Sequence, residues 1–185
     1  MCDNEKIIIP TSRLMIRQVS TKDEKYIFHA ASCPQINLMH SNEFNDIVKV
    51  RNYIEVLTQE YMKGKYRSLA VAEKMSDRLI GMITLDVDAS FPRAEISYWI
   101  DKSYRNKGYA TEAVKAVIEY GFSILGLNRI QAMHFTNNPA SGCVLEKAGM
   151  LFEGTLRQYV GMQGVFFDCR LYSILKSDFT QAFSE

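Results

Sequence analysis

The segment "EISYWIDKSYRNKGYATEAV", Glu95 to Val114, changes its period half-way. Up to Ile100 polar and apolar residues alternate as in a strand; from Gly108 the apolar positions recur in threes and fours. Ala110, Ala113, Val114, Val117, Gly121, Phe122 and Leu125 share one helical face, Glu112, Lys115 and Glu119 take the other, and Gly126 is the stop. A strand that passes directly into an amphipathic helix must lie in a sheet against which that helix buries its stripe. The fold class is therefore mixed α/β.

The remaining segments fit around that unit. "TSRLMIRQV" (11–19) alternates like a strand, and "STKDEKYIFHAA" offers Ser20 as the cap of a helix with acids in its first turn. Residues 32–45 are polar and aperiodic, and read as loop. Apolar residues at 47, 50, 54, 57 and 61 form a second helical stripe ending near Gly64. "YRSLAVAEK", "LIGMITLDVD" and "AEISYWI" then read as an antiparallel meander. Beyond the 108–125 helix come a strand "NRIQAMHF", a short helix "PASGCVLEKAG", and a closing strand pair, "MLFEGTLRQYV" and "GVFFDCRLYSIL". The expectation is one domain over 1–185, with 1–9 extended or poorly ordered and 176–185 a C-terminal tail.

Charge and composition remove several function classes. With 22 basic and 21 acidic side chains the net charge is +1, which argues against wrapping nucleic acid, although local basic clusters can bind a small anion. No run approaches the ~20 apolar residues of a membrane span, and the acidic N-terminus is no signal peptide. Cys2, Cys33, Cys143 and Cys169 are scattered without a CxxC pair, as expected of reduced cytoplasmic thiols. Cys33 with His29 makes half a metal site, no second half is visible, and no metal is expected. His29, His40 and His134 titrate in the range of a base, but also read as satisfied surface or core histidines.

The turn between strand and helix carries the chemistry. The first N–H groups of a helix are unpaired and partly positive, which suits phosphate. Gly108 removes the side chain that would block approach, Ala110 stays small, Thr111 adds a hydroxyl, and Arg105 and Lys107 add charge. The competing reading is a tight turn with solvated charges. The sequence has neither G-x-x-x-x-G-K-[ST] nor G-x-G-x-x-G, so ATP-loop and dinucleotide fingerprints are missing.

"EISYWIDKSYRNKGYATEAV" followed by "NNPASGCVLEKAGM" resembles motifs A and B of the GNAT acetyltransferase superfamily. "TSRLMIR", "YWID", the N-x-x-S-x-x-V-L-E-K-x-G run and the late Gly164–Asp168 element are similar to its RimJ/RimL-type branch. The resemblance covers about residues 10 to 176. It implies a GNAT fold: a central, mostly antiparallel sheet of about seven strands with one splayed pair, and about four helices. It also implies transfer of acetyl from acetyl-CoA to a primary amine, either a protein N-terminal α-amine or a small amine.

Under that resemblance Arg105, Asn106, Lys107, Gly108, Tyr109, Ala110 and Thr111 hold the pyrophosphate. Glu95 is the base, its alternative being a surface carboxylate paired to Arg93 or Lys102. Backbone N–H groups near Trp99 and Ile100 polarise the thioester carbonyl, and Asn138 and Ser141 contact pantetheine. Leu145 stands where many relatives carry a tyrosine as general acid, which leaves Ser141 as the acid candidate. Gly142 and Cys143 replace a frequent polar residue and arginine, Met150 replaces a common aromatic, and Asp168 is structural or substrate-orienting. The amine would enter past loop 32–45 and the 157–164 turn. A non-catalytic acyl-CoA-binding regulator on the same fold is the competing class, and a homodimer is left open.

Overall fold

The protein is described from a computed structural model that covers residues 7–30, 46–62, 66–162 and 164–181. The loop expected over 32–45, with Cys33 and His40, lies outside the described residues, as does Cys2. The N-terminal half consists of β1 (Ile8–Pro10), β2 (Leu14–Gln18), α1 (Glu24–Ala30), α2 (Ile47–Met62), β3 (Tyr66–Glu73) and β4 (Leu79–Val87). It continues with β5 (Arg93–Ile100), α3 (Tyr109–Ser123), β6 (Arg129–Phe135), α4 (Pro139–Lys147), β7 (Leu151–Met162), β8 (Val165–Leu175) and α5 (Lys176–Gln181).

The strands form one sheet in the order β1-β2-β3-β4-β5-β6-β8-β7. All neighbours are antiparallel except β5 and β6. The eighth strand, beyond the seven read from the sequence, is β1: Ile8–Pro10 pairs with Met15–Arg17, too short a segment to show a period. The first part of the segment expected as a tail, Lys176–Gln181, is helical, and the ring of Phe179 lies 5.3 Å from that of Phe122.

Each face of the sheet is covered by the stripe that the sequence supplies. Ala113, Val114, Val117, Ile118, Gly121 and Phe122 of α3 are buried with Ile83, Ile96 and Ile130 on one face. On the other, Ile27 of α1 and Val50, Ile54 and Leu57 of α2 pack with Ala70, Met82 and Trp99. Each Val, Leu, Ile, Met or Phe side chain so buried stabilises the fold by about 1.5–3 kcal/mol.

One irregularity positions everything that follows. The parallel pairing of β5 with β6 runs from Arg93↔Arg129 to Ile96↔Ala132 and stops. Beyond it β5 stays on β4 as far as Gly81↔Ile100, while β6 stays on β8 as far as Phe135↔Cys169. The sheet is therefore open between Ser97–Ile100 and Met133–Phe135.

A buried ion pair ties α1 to the sheet. Asp23 has no exposed surface and receives both terminal nitrogens of Arg17 at 2.8 Å, together with the Ser20 N–H at 2.9 Å. Arg17 also holds Asp77, its Nε at 2.6 Å from Asp77 Oδ1, so the partner whose loss strands a buried charge is Arg17. Arg17→Ala leaves the Asp23 carboxylate buried without that counter-charge and should lower unfolding stability by about 3–5 kcal/mol in urea at neutral pH.

Candidate active site

The turn after β5 is built in three steps. Asp101 caps a single 3-10 turn, Lys102–Tyr104, by accepting the Ser103 N–H at 2.8 Å. Asn106 and Gly108 then take left-handed conformations, φ 62° and 80°. The second is a position that glycine fills without strain. Gly108 is the N-cap of α3, and the helix's first bond runs from the Glu112 N–H to the Gly108 carbonyl at 3.0 Å. The N–H groups of Tyr109, Ala110 and Thr111 precede that bond and point out of the helix end. Arg105 and Lys107 are exposed beside them. Arg105 also reaches back, its Nε donating to the Ile100 carbonyl at 3.0 Å, so the turn is tied to the mouth of the opening.

The backbone of β5 decides what faces that opening. The Asp101 N–H donates to the Ile80 carbonyl, so Asp101 and Trp99 direct their main chain at β4. Ile100 and Tyr98 therefore turn theirs toward the gap left by β6. Of the two residues expected to polarise a carbonyl, Ile100 aims its N–H into the opening. Trp99 instead sends its N–H to β4 and its side chain into the core with α1 and α2.

Glu95 lies on the next-to-last paired rung before the sheet opens, opposite Gln131. Its Oε2 accepts from Gln131 Nε2 at 3.2 Å. Gln131 is held by Arg129, whose Nε and Nη2 donate to its Oε1 at 3.2 and 3.3 Å. Arg129 forms a double ion pair with Glu153 at 2.7 and 2.6 Å. Arg93, one candidate surface partner of Glu95, is bound to Asp88 at 2.9 Å. Burial raises the pKa of the neighbouring Cys169 thiol, with smaller contributions from the negative charges of Asp168 and Glu95.

The opposite face of the opening is closed by α4. Asn138 caps it from an exposed position and makes no side-chain cap bond. Ser141 lies one turn further, with its Oγ 2.8 Å from the Tyr98 hydroxyl, which also reaches the Ser141 carbonyl at 3.2 Å. Burial pushes the Tyr98 phenol up to about 12, against the opposing effect of the Ser141 hydrogen bond, so it stays protonated at neutral pH. Leu145 has no exposed surface and belongs to the core. Gly142 has its own steric reason: a Cβ there would come within 2.8 Å of His134 Nε2. The imidazole is fixed, being buried with Nδ1 2.8 Å from the Phe135 carbonyl.

The other predicted residues stand apart from this arrangement. Cys143 is an exposed free thiol on α4, and Met150 is buried core. Asp168 accepts the Gln158 N–H at 2.7 Å and so fixes the irregularity in β7 between Leu156 and Val160. Among the described residues no cluster of three or more His, Cys, Asp or Glu is arranged to hold a metal, and no helix is long and apolar enough to cross a membrane.

Known proteins resemble this chain both in sequence and in fold. The sequence profile of the acetyltransferase (GNAT) domain matches residues 13–151. The chain belongs to the GNAT acetyltransferase family. As a member it is an acetyl-CoA-dependent N-acyltransferase. It is 34% identical over 171 residues to the uncharacterized N-acetyltransferase YoaA of Bacillus subtilis, covering 91% of this chain and 97% of that one. It is 31% identical to the ribosomal-protein-serine acetyltransferase of Escherichia coli over 98 residues, covering 52% of this chain and 55% of that one. A crystal structure of a GNAT-family acetyltransferase from Bacillus anthracis superposes with a TM-score of 0.80 at 28% identity, covering 92% of this chain and 99% of that one.

The turn from Arg105 to Thr111 is one contiguous surface of this acetyltransferase, and Glu95 and Ser141 flank the same opening from opposite faces of the sheet. Sequence reasoning missed Tyr98 and Gln131. Tyr98 stands three residues after Glu95, and strand alternation alone puts it on the other face, toward α4. Gln131 is a polar residue inside an apolar strand, a signal that was readable. Tyr98→Phe should lower kcat roughly tenfold, the worth of about one hydrogen bond, and leave acetyl-CoA affinity within about twofold. Steady-state kinetics and calorimetry on the same preparation check both numbers.

Proposed function

We propose that the protein moves acetyl directly from acetyl-CoA to a primary amine, with the thioester lying in the opening between β5 and β6. What carries this reading is the juxtaposition just described: a carboxylate at the mouth on one face, a serine and a bare helix start on the other. The N–H groups of 109–111, with Arg105 and Lys107, would receive the pyrophosphate. Asn138 and Ser141 would line the pantetheine arm, and the Ile100 N–H would stabilise charge on the carbonyl oxygen.

Acyl transfer needs an amine without its proton. Glu95, oriented by Gln131, takes that proton directly or through one water. The amine nitrogen bonds to the carbonyl carbon and loses its second proton to water, the carbon–sulfur bond breaks, and the thiolate takes a proton from water or from Ser141, which regains it from water. When the Tyr98 phenol, protonated at neutral pH, donates to Ser141 Oγ rather than to the Ser141 carbonyl, the serine hydrogen is free to turn toward the sulfur.

For the acceptor we favour a peptide N-terminus or a small amine. An α-amine with pKa near ~8 is more often neutral at pH 7 than a lysine amine near ~10.4. Relatives named for both kinds exist: the ribosomal-protein-serine acetyltransferase of Escherichia coli, and a spermidine N(1)-acetyltransferase of Vibrio cholerae at 24% identity over 91% of this chain and 96% of that one. A cytoplasmic setting fits Cys143 and Cys169 as free thiols.

Thiol release from acetyl-CoA in the presence of short peptides and of small amines identifies the acceptor class. Glu95→Gln should reduce turnover on the preferred amine by roughly a hundredfold while acetyl-CoA affinity is retained. Unchanged turnover would remove Glu95 as the base. Tight acetyl-CoA binding without thiol release on any peptide or small amine would overturn the proposed acceptor class.

A further inference from the structure

Glu112 occupies the first turn of α3, four residues after the glycine that caps it. A carboxylate at a helix start stabilises the helix, but beside an anion site it repels the ligand. This one is heavily engaged. Its Oε1 accepts from Thr11 Oγ1 at 2.6 Å, from Ser12 Oγ at 2.9 Å and from the Arg13 N–H at 2.9 Å. Its Oε2 accepts from Arg13 Nε and Nη2, both at 2.7 Å. Burial alone would raise its pKa, but these hydrogen bonds outweigh it and hold the group at about 2, so the carboxylate is ionised throughout the working range.

Arg13 does more than neutralise it. Its Nη1 donates to the Lys107 carbonyl at 2.9 Å, inside the turn itself. The guanidinium carbon lies 4.6 Å from the centre of the Tyr109 ring, a cation–π distance. Arg13 Nη2 is also the nearest atom to where a Cβ on Gly108 would sit, at 3.4 Å. One side chain from the lead-in to β2 therefore touches Lys107, Tyr109 and Glu112 and lies beside Gly108. The Arg13 side chain is 48% exposed, and exposed ion pairs add little to stability. What the arrangement does fix is the geometry of the turn relative to the sheet.

We propose that Arg13 is a positioning residue for the acyl donor: bound to Glu112, it clamps the 107–109 backbone in its anion-receiving shape and cancels the carboxylate charge beside it. This rests on the reading that the 105–111 turn holds the donor's pyrophosphate. The function would be specific to donors that carry a pyrophosphate, because the clamp touches only that end of the site.

The test compares acetyl-CoA with S-acetylpantetheine, which has the same thioester and no pyrophosphate. In Arg13→Gln the KM for acetyl-CoA should rise about tenfold with kcat within twofold, and calorimetry with CoA should show the same loss of affinity. Efficiency with S-acetylpantetheine should stay within twofold of the unsubstituted protein. Arg13→Lys keeps the charge but cannot span Glu112 and Lys107 with a planar fork, and should lose affinity for acetyl-CoA about threefold. It is the deciding variant if Arg13→Gln does not fold. Equal losses with both donors would mean that Arg13 only stabilises the fold, and no loss with either would mean that the clamp is idle; each overturns the proposal. If the unsubstituted protein uses both donors equally well, the fault lies instead with the pyrophosphate reading of the turn.

Discussion

The site depends on hydrogen bonds that β5 and β6 stop making after Ile96 and Ala132. Unpaired backbone N–H and C=O groups are costly unless something else satisfies them. Here the Ile100 carbonyl is taken by Arg105 Nε, which joins the edge of the opening to the turn that follows. The outward N–H groups of Tyr98 and Ile100 are left for whatever enters. A regular sheet would have consumed them, and the proposed thioester site would not exist.

Because the opening lies in the middle of the sheet, strand alternation sorts the chemistry without further machinery. Glu95 and Gln131 project to one side, and Tyr98 to the other, where α4 brings Ser141 to meet it. A group between the strands can thus be approached by an amine from one face and supported from the opposite one. The charges follow the same economy: Arg129 is committed to Glu153 and Gln131, Arg93 to Asp88, and Arg13 to Glu112.

Much of the architecture was legible in the chain. The 3.6-residue stripes of α2 and α3 and the alternation of β6 are strong local patterns, and most of the residues on them are buried; β3 and β4, covered on both faces, are buried almost throughout. The three residues of β1 are too few for a period and gain their strand from pairing with β2. The candidate turn was legible because its residues are contiguous. The Tyr98–Ser141 contact was not, since it joins residues 43 apart and exists only once α4 is packed on the sheet. Nor does sequence announce which way a backbone N–H points. That orientation follows from the Ile80–Asp101 hydrogen bond and separates Ile100 from Trp99. The Leu145 departure was readable as chemistry, and its burial gives the physical reason: a side chain there is core, not site.

The central claim is that the turn after β5 and the opening beside it form one site for acetyl-CoA. Calorimetric titration of the purified protein with acetyl-CoA, with ATP as the control, tests it most directly. The account predicts saturable, one-to-one binding of acetyl-CoA in the micromolar range and no binding of ATP. A folded protein that binds neither, or binds ATP equally well, would contradict it.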